Sequence, residues 1–341
     1  MKITHIHIER FRGFQNEDFE VGSLLTAIAG QNGTQKSTLL GIITQTFTLK
    51  TEDSMRVEKP LCGGSYISAF KDKFRLSPTF DKPKGHEWTI SFDAGMDDFT
   101  VESIKRTGDP NVRFWKKGAR QEGDGYISFP TIFLSLKRLV PVAEEAKIIT
   151  DDTLLTQEEL NEFKQLHNKI LIAQTPISSA TTITSKNKQS IGVSTELYDW
   201  NQNSMGQDNL GKIILALFSF KRLHDKYPRQ YKGGILAIDE MDATMYPASQ
   251  VELLKVLRKY ASKLNLQILF TTHSMSLLKA MDDLVQEVTK KEETANQAKI
   301  LYLKKVDDKI AIKQGVNFKG IQLDLNVVAE GNNRKKNRIT A

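Results

Sequence analysis

The chain has 341 residues, 39% apolar and 26% charged, so it can bury its own core and has an ordinary globular composition. Its single cysteine excludes an internal disulfide and fits a reducing compartment. The formal net charge of +7 permits a nucleic-acid partner but does not require one.

The sequence gives no sign of export or membrane insertion. No apolar run approaches the ~20 residues that span a bilayer. The opening MKITHIHIERFRGF is charged and alternating, and it lacks the apolar stretch of a signal peptide. We therefore expect a cytoplasmic protein with no membrane partner.

The N-terminal elements are a predicted hairpin and then a strand, a glycine-rich turn and a helix. The apolar positions Ile3, Ile6, Ile8 and Phe11 alternate as in a strand, and residues 19–21 read as its hairpin return. An apolar run at residues 24–29 ends in GQNGTQKST, and residues 38–46 read as a helix. A glycine-rich turn between a strand and a helix is the structural context in which such a turn binds phosphate.

The middle of the chain is predicted to be irregular first and then β-rich. Residues 50–85 combine glycine, proline and many charges, whereas residues 87–120 alternate as an antiparallel meander. PTIFLSL, from Pro130, reads as a buried strand, and residues 156–172 have helical spacing. Residues 175–195, rich in Ser, Thr and Lys, are predicted to form a loop or a β excursion.

The C-terminal part has an α/β pattern. The predicted elements are a helix at 208–224, the buried strand GGILAIDE, an amphipathic helix at 250–263, the buried strand LQILFTTHS, and weak strands at 300–303 and 310–312. No internal repeat or sustained heptad pattern is visible.

Residues 30–38 carry a phosphate-loop pattern, GxxxxxKS. Successive backbone N–H groups would wrap the phosphates of ATP, and the N-terminus of the following helix adds its positive end. Lys36 would reach the β- and γ-phosphates, and the Ser37 hydroxyl would ligate Mg²⁺. Gln35 stands where the pattern has glycine, which predicts slower turnover more than weaker binding. The alternative is an ordinary glycine turn. The predicted nucleotide contacts are Gly30, Gln31, Asn32, Gly33, Thr34, Gln35, Lys36, Ser37 and Thr38.

Two carboxylates, Asp239 and Glu240, end the strand GGILAIDE, and we call them the acidic pair. Because the strand itself is predicted to be buried, these two carboxylates would be exposed only at its carboxyl end. Asp239 would hold the Mg²⁺ shell through water, and Glu240 would orient the attacking water or accept its proton. The alternative is an acidic helix N-cap at Asp242 or Glu240.

His273 follows LQILFTT, about one strand–helix unit after the acidic pair. At the carboxyl end of a parallel sheet it would point into the ligand crevice, where it could hydrogen-bond the γ-phosphate. A lone histidine is otherwise usually structural or simply exposed.

The segment Ser204-Met205-Gly206-Gln207-Asp208, which we call the signature loop, precedes the apolar run LGKIILALFSF. A small, glycine-containing loop at a helix N-terminus is a second anion site, so its phosphate would come from elsewhere. An ordinary helix cap, with Asn203 or Ser204 as N-cap, is the alternative.

These four elements, in this order, resemble the ABC ATPase class. SMGQD resembles its signature motif, Met241-Asp242-Ala243 the start of its D-loop, and His273 its switch histidine. The opening ITHIHIERFRGF resembles the RecF, SMC and OLD-type branch, and the whole is similar to AAA15/AAA21-type ATPases of bacterial anti-phage systems. The resemblance covers residues 1–48 and 125–280.

The resemblance implies an α/β fold, an ABC ATPase head (P-loop NTPase) with a mixed sheet core, an antiparallel β meander and a helical signature subdomain. It implies one domain, divided at 1–48 (P-loop half), 50–125 (loop and β insertion), 126–205 (helical and loop region), 206–285 (signature helix, acidic pair and histidine) and 286–341 (C-terminal strands and basic tail).

The resemblance also implies a homodimer, or a higher oligomer, that sandwiches ATP and Mg²⁺. Ser204, Gly206, Gln207 and Asp242 would then join the nucleotide contacts, and catalysis would rest on Lys36, Glu240 and His273. The favoured function is an ATP-driven switch that controls a separate effector protein, such as a nuclease. The alternatives are a RecF-like DNA-binding maintenance ATPase and a transporter ATPase subunit, which the N-terminus disfavours.

Two features depart from that family. Its glutamine after a central strand has no counterpart in LSLKRLVP, which offers Ser135, Lys137 and Arg138. The acids after His273, such as Asp282 and Asp283, do not end strands as those of an appended TOPRIM nuclease would, so we expect no nuclease domain.

Two basic runs remain unassigned. They are Lys71, Lys73, Arg75, Lys82 and Lys84, and the tail Arg334, Lys335, Lys336 and Arg338. Such runs are typical of a solvated loop and a frayed terminus, but they would also suit phosphates or an acidic partner.

Overall fold

The computed structural model describes residues 1–67, 70–93, 95–105, 112–119, 124–139, 149–151, 154–173, 175–184 and 189–325. The described strands are β1 (Ile3–Phe11), β2 (Phe14–Glu20), β3 (Leu25–Gly30), β4 (Phe47–Thr48), β5 (Glu87–Phe92), β6 (Phe99–Lys105), β7 (Val112–Lys116), β8 (Ile127–Ser128), β9 (Thr131–Leu134), β10 (Ile149–Asp151), β11 (Ser179–Thr184), β12 (Gln189–Ser194), β13 (Gly234–Ile238), β14 (Leu266–Thr272), β15 (Ala298–Val306) and β16 (Lys309–Lys313). The helices with both ends described are α1 (Lys36–Thr44), α2 (Phe70–Lys73), α3 (Gln157–Leu171), α4 (Met205–Lys226), α5 (Pro247–Lys263) and α6 (Met275–Val288).

The N-terminal hairpin and the meander form one antiparallel sheet, in the order β2-β1-β5-β6-β7. The two parts join where Ile6 pairs with Ile90 across β1 and β5. Alternate side chains of these strands are buried against α1, which is the period-two pattern of a sheet with one covered face.

The central sheet has six strands in the order β16-β15-β3-β14-β13-β9. The strands β15, β3, β14, β13 and β9 run parallel, and β16 pairs antiparallel with β15. Every residue of β3, β13 and β14 is buried, as expected for parallel strands covered on both faces. The carboxyl ends of these three strands therefore meet at one edge of the sheet.

The helix α4 buries most of its 22 residues. It packs against β12, α3 and the 3₁₀ turn Leu136–Leu139 that follows β9. The segment 175–195 forms two antiparallel strands, β11 and β12, so of the two predicted alternatives the β excursion is correct.

One predicted helix start needs correction, and two helical segments were not predicted. α4 begins at Met205 rather than 208, because Ser204 and Gln207 form a reciprocal capping box. The helix α6 was not predicted, although its apolar positions have helical spacing. A further helical stretch occupies residues 318–325.

The basic runs are only partly described. The tail residues 334–338 and the side chain of Lys71 lie outside the described part of the chain. Lys73 is buried and donates to the carbonyl oxygen of Thr44 (2.8 Å), so it does not present its charge to a partner.

No helix in the described ranges has both the length and the apolar character that crossing a bilayer requires.

Candidate nucleotide-binding site

The predicted phosphate loop lies between the end of β3 and the start of α1. Gly30 has φ +152°, and a β-carbon there would stand 2.5 Å from the carbonyl oxygen of Leu303, so the position requires glycine. No side chain caps the N-terminus of α1, and its first turn holds no acidic residue. The first amides of α1 are therefore free to bind an anion.

Gln35 adopts the conformation that the usual glycine would adopt, with φ 62° and ψ 32°. This left-handed backbone costs a side-chain-bearing residue about 1–2 kcal/mol. Its side chain packs against Gly13, in the turn between β1 and β2, where a β-carbon would stand 2.9 Å from Gln35 Nε2. The loop therefore keeps its shape at the cost of backbone strain.

Lys36 is buried, and its ammonium group donates hydrogen bonds back to the residues that begin the loop. Nζ donates to the carbonyl oxygens of Gly30 (3.1 Å) and Gln31 (3.0 Å). Burial lowers the pKa of Lys36, and the carboxylates of Glu240 and Asp239 oppose that shift. The acidic pair therefore lies within electrostatic reach of this ammonium group.

The rest of the loop is partly open to solvent. Asn32, Gly33 and Ser37 are exposed, and Thr34 is buried with its hydroxyl donating to Gln31 O (2.8 Å). Thr38 accepts a hydrogen bond from Arg12 Nη1 (3.3 Å), which links α1 to the β1–β2 turn.

The two predicted magnesium ligands are in contact. Ser37 Oγ donates to Asp239 Oδ1 (2.9 Å) across 202 residues of sequence. Hydroxyl and carboxylate oxygens are ligands that Mg²⁺ accepts, together with phosphate oxygens and water. The described residues hold no cluster of three or more His, Cys, Asp or Glu side chains suited to a metal.

Thr271, on β14, organises the acidic pair and was not singled out from the sequence. Its hydroxyl donates to Asp239 Oδ1 (2.7 Å) and accepts from the backbone N–H of Glu240 (2.6 Å). Thr271 therefore holds the Asp239 carboxylate and the Glu240 backbone in fixed positions relative to each other. A threonine inside a buried strand carries no local signal of this role.

Glu240 and Asp242 lie in the turn after β13 and do not cap a helix. The N-cap of α5 is Tyr246, so the alternative reading of these acids as helix caps is wrong. The backbone N–H of His273 donates to Asp242 Oδ1 (3.4 Å). Burial and the nearby Lys36 ammonium lower the pKa of His273, and the carboxylates of Asp242, Glu240 and Asp239 oppose that shift.

The signature loop forms a separate group of contacts. Ser204 Oγ accepts from Gln207 N (3.3 Å), and Gln207 Oε1 accepts from Ser204 N (2.9 Å), so the helix cap given as the alternative reading is present, at Ser204. Gln207 Nε2 also donates to the hydroxyl of Tyr198 (2.5 Å). Gly206 packs against the carbonyl oxygen of Thr244. Ser204 and Gln207 thus cap each other, and Gly206 packs against the turn after β13, whereas Lys36, Ser37, Asp239, Glu240 and His273 gather at the sheet edge.

Arg138, from the stretch without the family's glutamine, is buried beside the acidic pair. Its Nη2 donates to the carbonyl oxygen of Glu240 (2.8 Å), and its Nε donates to Asn209 Oδ1 (2.7 Å) on α4. By contrast, Lys137 is exposed. The sequence offered Arg138 as a candidate without indicating these partners.

Comparison with known proteins gives one family match and several similar folds. Residues 135–278 match the AAA ATPase domain family AAA_15, a segment that holds the signature loop, the acidic pair and His273 but begins after the phosphate loop. No curated protein sequence matches the chain.

Several SMC head domains are among the solved structures with a similar fold. The SMC head domain from Thermotoga maritima is 14% identical, with a TM-score of 0.50 over 93% of this chain and 100% of that one. A Smc head bound to the C-winged helix domain of ScpA is also 14% identical, with a TM-score of 0.54 over 94% and 100%. A Smc head with an extended coiled coil, bound to the C-terminal domain of ScpA from Pyrococcus furiosus, is 12% identical, with a TM-score of 0.51 over 96% and 99%.

These likenesses confirm the predicted fold class. The chain has the fold of an ABC-type ATPase head, an α/β P-loop architecture with a mixed sheet core, an antiparallel meander and a helical subdomain.

Proposed function

We propose that this chain binds ATP with Mg²⁺, hydrolyses it slowly, and works as a switch whose two copies close around the nucleotide. The observation that carries the proposal is the Ser37–Asp239 hydrogen bond, with Thr271 holding Asp239 and the amide of Glu240. It joins the phosphate loop to the acidic pair at the carboxyl edge of the sheet, where α/β folds bind ligands.

Each residue then has a definite task. Lys36 exchanges its two backbone acceptors for phosphate oxygens, and the free first-turn amides of α1 bind the same phosphates. Ser37 and Asp239 would hold Mg²⁺, whose charge offsets that of the phosphates. Glu240 orients the attacking water or accepts its proton, and His273 hydrogen-bonds the γ-phosphate.

The strained Gln35 supports slow turnover. The loop cannot relax around the transition state without moving a side chain already packed against Gly13. Preorganised donors accelerate phosphoryl transfer only if they are correctly placed in the transition state.

A second copy supplies the missing contacts. Within one chain the signature loop is engaged with Tyr198 and Thr244, while Ser204 and Met205 face solvent at the N-terminus of α4. A two-fold dimer would bring that helix N-terminus and Asp242 to the γ-phosphate held by the partner's phosphate loop, with two equivalent sites. ATP binding energy would become dimer-closure energy, which a separate effector in anti-phage defence would read.

The net charge of +7 supports a second candidate, a RecF-like ATPase for which duplex DNA is itself the ligand. One experiment, which measures turnover and dimerisation with and without duplex DNA, distinguishes the two candidate functions. DNA binding that falls steeply with salt and stimulates turnover favours the second candidate. ATP-dependent dimerisation unaffected by DNA favours the first.

The direct test compares Ser37→Ala with Ser37→Thr. The hydroxyl is lost in the first variant and kept in the second, so Mg²⁺-dependent hydrolysis should disappear in Ser37→Ala and survive in Ser37→Thr. Binding of labelled ATP in EDTA should be similar in both. Equal Mg²⁺-dependent turnover in the two variants would overturn the proposed metal site, and an inactive parent would overturn the ATPase itself.

A further inference from the structure

Arg138 is the most heavily bonded cation beside the candidate site, and it is only 2% exposed. It sits in the 3₁₀ turn after β9 and donates backwards to the carbonyl oxygens of Leu134 (3.2 Å) and Ser135 (3.1 Å). These two bonds fix the guanidinium plane on the sheet. A buried cation needs such partners, because desolvation would otherwise be too costly.

The other two bonds of Arg138 run in different directions. One reaches the backbone carbonyl of Glu240 (2.8 Å), and the other reaches the side chain of Asn209 (2.7 Å). Asn209 is fully buried in the second turn of α4, and its Nδ2 donates to the carbonyl oxygen of Ala243 (2.9 Å). Arg138 and Asn209 together therefore connect both sides of the turn after β13 to the helix that begins with the signature loop.

The turn that they hold is strained. Glu240 (φ 49°) and Thr244 (φ 68°) both lie in the left-handed region, where a β-branched residue is rare. Such residues cost about 1–3 kcal/mol each and persist only when their surroundings over-determine them. The bonds from Arg138 to Glu240 and from Asn209 to Ala243 supply that constraint. Arg138 and Asn209 thus help to hold the turn in this strained conformation.

We propose that Arg138 and Asn209 are positioning residues that couple the acidic pair to the N-terminus of α4. Their hydrogen bonds go to carbonyl and amide groups of the chain, so they would act through the turn. When a bound γ-phosphate shifts Glu240 or Asp242, the shared turn moves, and the two side chains carry that movement to the signature loop. The inference rests on the proposed function, because it assigns the link between hydrolysis and the surface that the second copy meets.

The chemistry of the two residues fits this task. The guanidinium is a planar fork with five donors, so it can hold a sheet carbonyl, a turn carbonyl and an amide oxygen at once. Lysine has the same charge without the fork. Aspartate at position 209 keeps an acceptor for Arg138 but loses the donor to Ala243.

The experiment uses Arg138→Lys and Asn209→Asp, with Ser219→Ala as the control. Ser219 is a buried polar residue of the same helix, and its hydroxyl accepts from Leu61 N (2.8 Å), away from the turn. Each variant is measured for affinity for labelled ATP, for turnover, and for ATP-induced hydrogen-exchange protection of amides 205–209.

Both coupling variants should bind ATP as the parent does, since the phosphate loop is unchanged. Their turnover should fall by about 100-fold, as for a misplaced catalytic group, and the ATP-induced protection should vanish. Ser219→Ala should keep both. A purely structural role would lower stability and leave the exchange response to ATP intact.

Parental turnover together with parental ATP-induced protection in Asn209→Asp would overturn the inference and leave the proposed function standing. This variant decides the matter if Arg138→Lys fails to fold. A parent that neither hydrolyses ATP nor gains protection with it would overturn the proposed function and the inference with it.

Discussion

Gly206 and Thr244 are in direct contact, since a β-carbon on Gly206 would stand 2.5 Å from the carbonyl oxygen of Thr244. Even alanine at position 206 would push on the turn that carries Glu240 and Asp242 in the same chain. A Gly206 variant therefore cannot distinguish a site shared between chains from one within a chain. Met205, which is 46% exposed, is the better position for that question.

The first prediction is that two inactive variants complement each other in a mixture. Lys36→Ala removes the cation of the phosphate loop, and Met205→Glu sets a negative charge against the partner's phosphates without weakening the first turn of α4. In a mixed dimer both defects fall in one site, and the other site is intact. Random mixing should restore about a quarter of parental ATPase activity, because half the dimers are mixed and each has one good site.

The control for this mixing experiment is the presence of mixed dimers, which different affinity tags on the two chains can demonstrate. Each variant alone should be inactive, and Lys36→Ala should also fail to bind labelled ATP. No recovery despite mixed dimers would mean that the site lies within one chain or that both sites must fire together.

The second prediction is that Glu240→Gln binds ATP, stops hydrolysis and accumulates as a closed dimer. The amide matches the carboxylate in shape and removes only its capacity to take a proton. Sedimentation with and without ATP measures the dimer, and phosphate release measures turnover. Glu252→Gln, a similar exchange on α5, should behave as the parent. Turnover at the parental rate in Glu240→Gln would exclude Glu240 as the base.

The third prediction concerns Thr271. Thr271→Val keeps the shape but leaves Asp239 without one donor and the Glu240 amide without its acceptor, which costs about 1–3 kcal/mol of stability. Mg²⁺-dependent turnover should fall by about 100-fold, whereas ATP binding in EDTA should persist. Thr271→Ser restores the hydroxyl and should restore turnover. If Thr271→Ser does not restore turnover, then turnover depends on the side-chain packing at position 271 rather than on the hydroxyl.

The fourth prediction is that His167 makes the protein sensitive to mild acid. Both of its ring nitrogens are buried without a hydrogen-bond partner, and burial lowers its pKa to about 4. Because the folded pKa lies below the unfolded value, stability is full above the unfolded pKa and is lost as pH falls toward 4. The loss from this residue should be about 2 kcal/mol between pH 7 and pH 5.

Urea unfolding at the two pH values tests this, with His167→Leu against the parent. The variant should be at least as stable at pH 7 and lose about 2 kcal/mol less at pH 5. The control is Phe163→Leu, a change to the ring that contacts His167 in α3, which should lower stability equally at both pH values. An unchanged acid response in His167→Leu would assign the acid sensitivity to other groups.

The sequence could predict what depends on neighbouring residues. A phosphate loop needs contiguous residues between a strand and a helix, so Gly30 to Ser37 were recognisable. The acidic pair was recognisable because a fully apolar strand precedes it. The spacing of Ser204 and Gln207 is also a local pattern, typical of a capping box. Using it would have placed the start of α4 at the correct residue.

Pairings across long sequence distances could not be predicted. Arg138 meets Glu240 across 102 residues and Asn209 across 71, and no local pattern marks any of the three as partners. The union of the N-terminal hairpin with the meander was hidden for a related reason. Alternation shows which face of a strand is buried, but it does not show which other strand lies beside it.

The position of β3 in the central sheet has a consequence for how the protein is made. Both described neighbours of this strand, β14 and β15, come from beyond residue 265. The residues of the phosphate loop are therefore synthesised early, but the strands that flank β3 are added only after most of the chain has been made. Under the proposed function, ATP would therefore bind only after β14 and β15 have joined β3, and chains that end before β14 should not bind it.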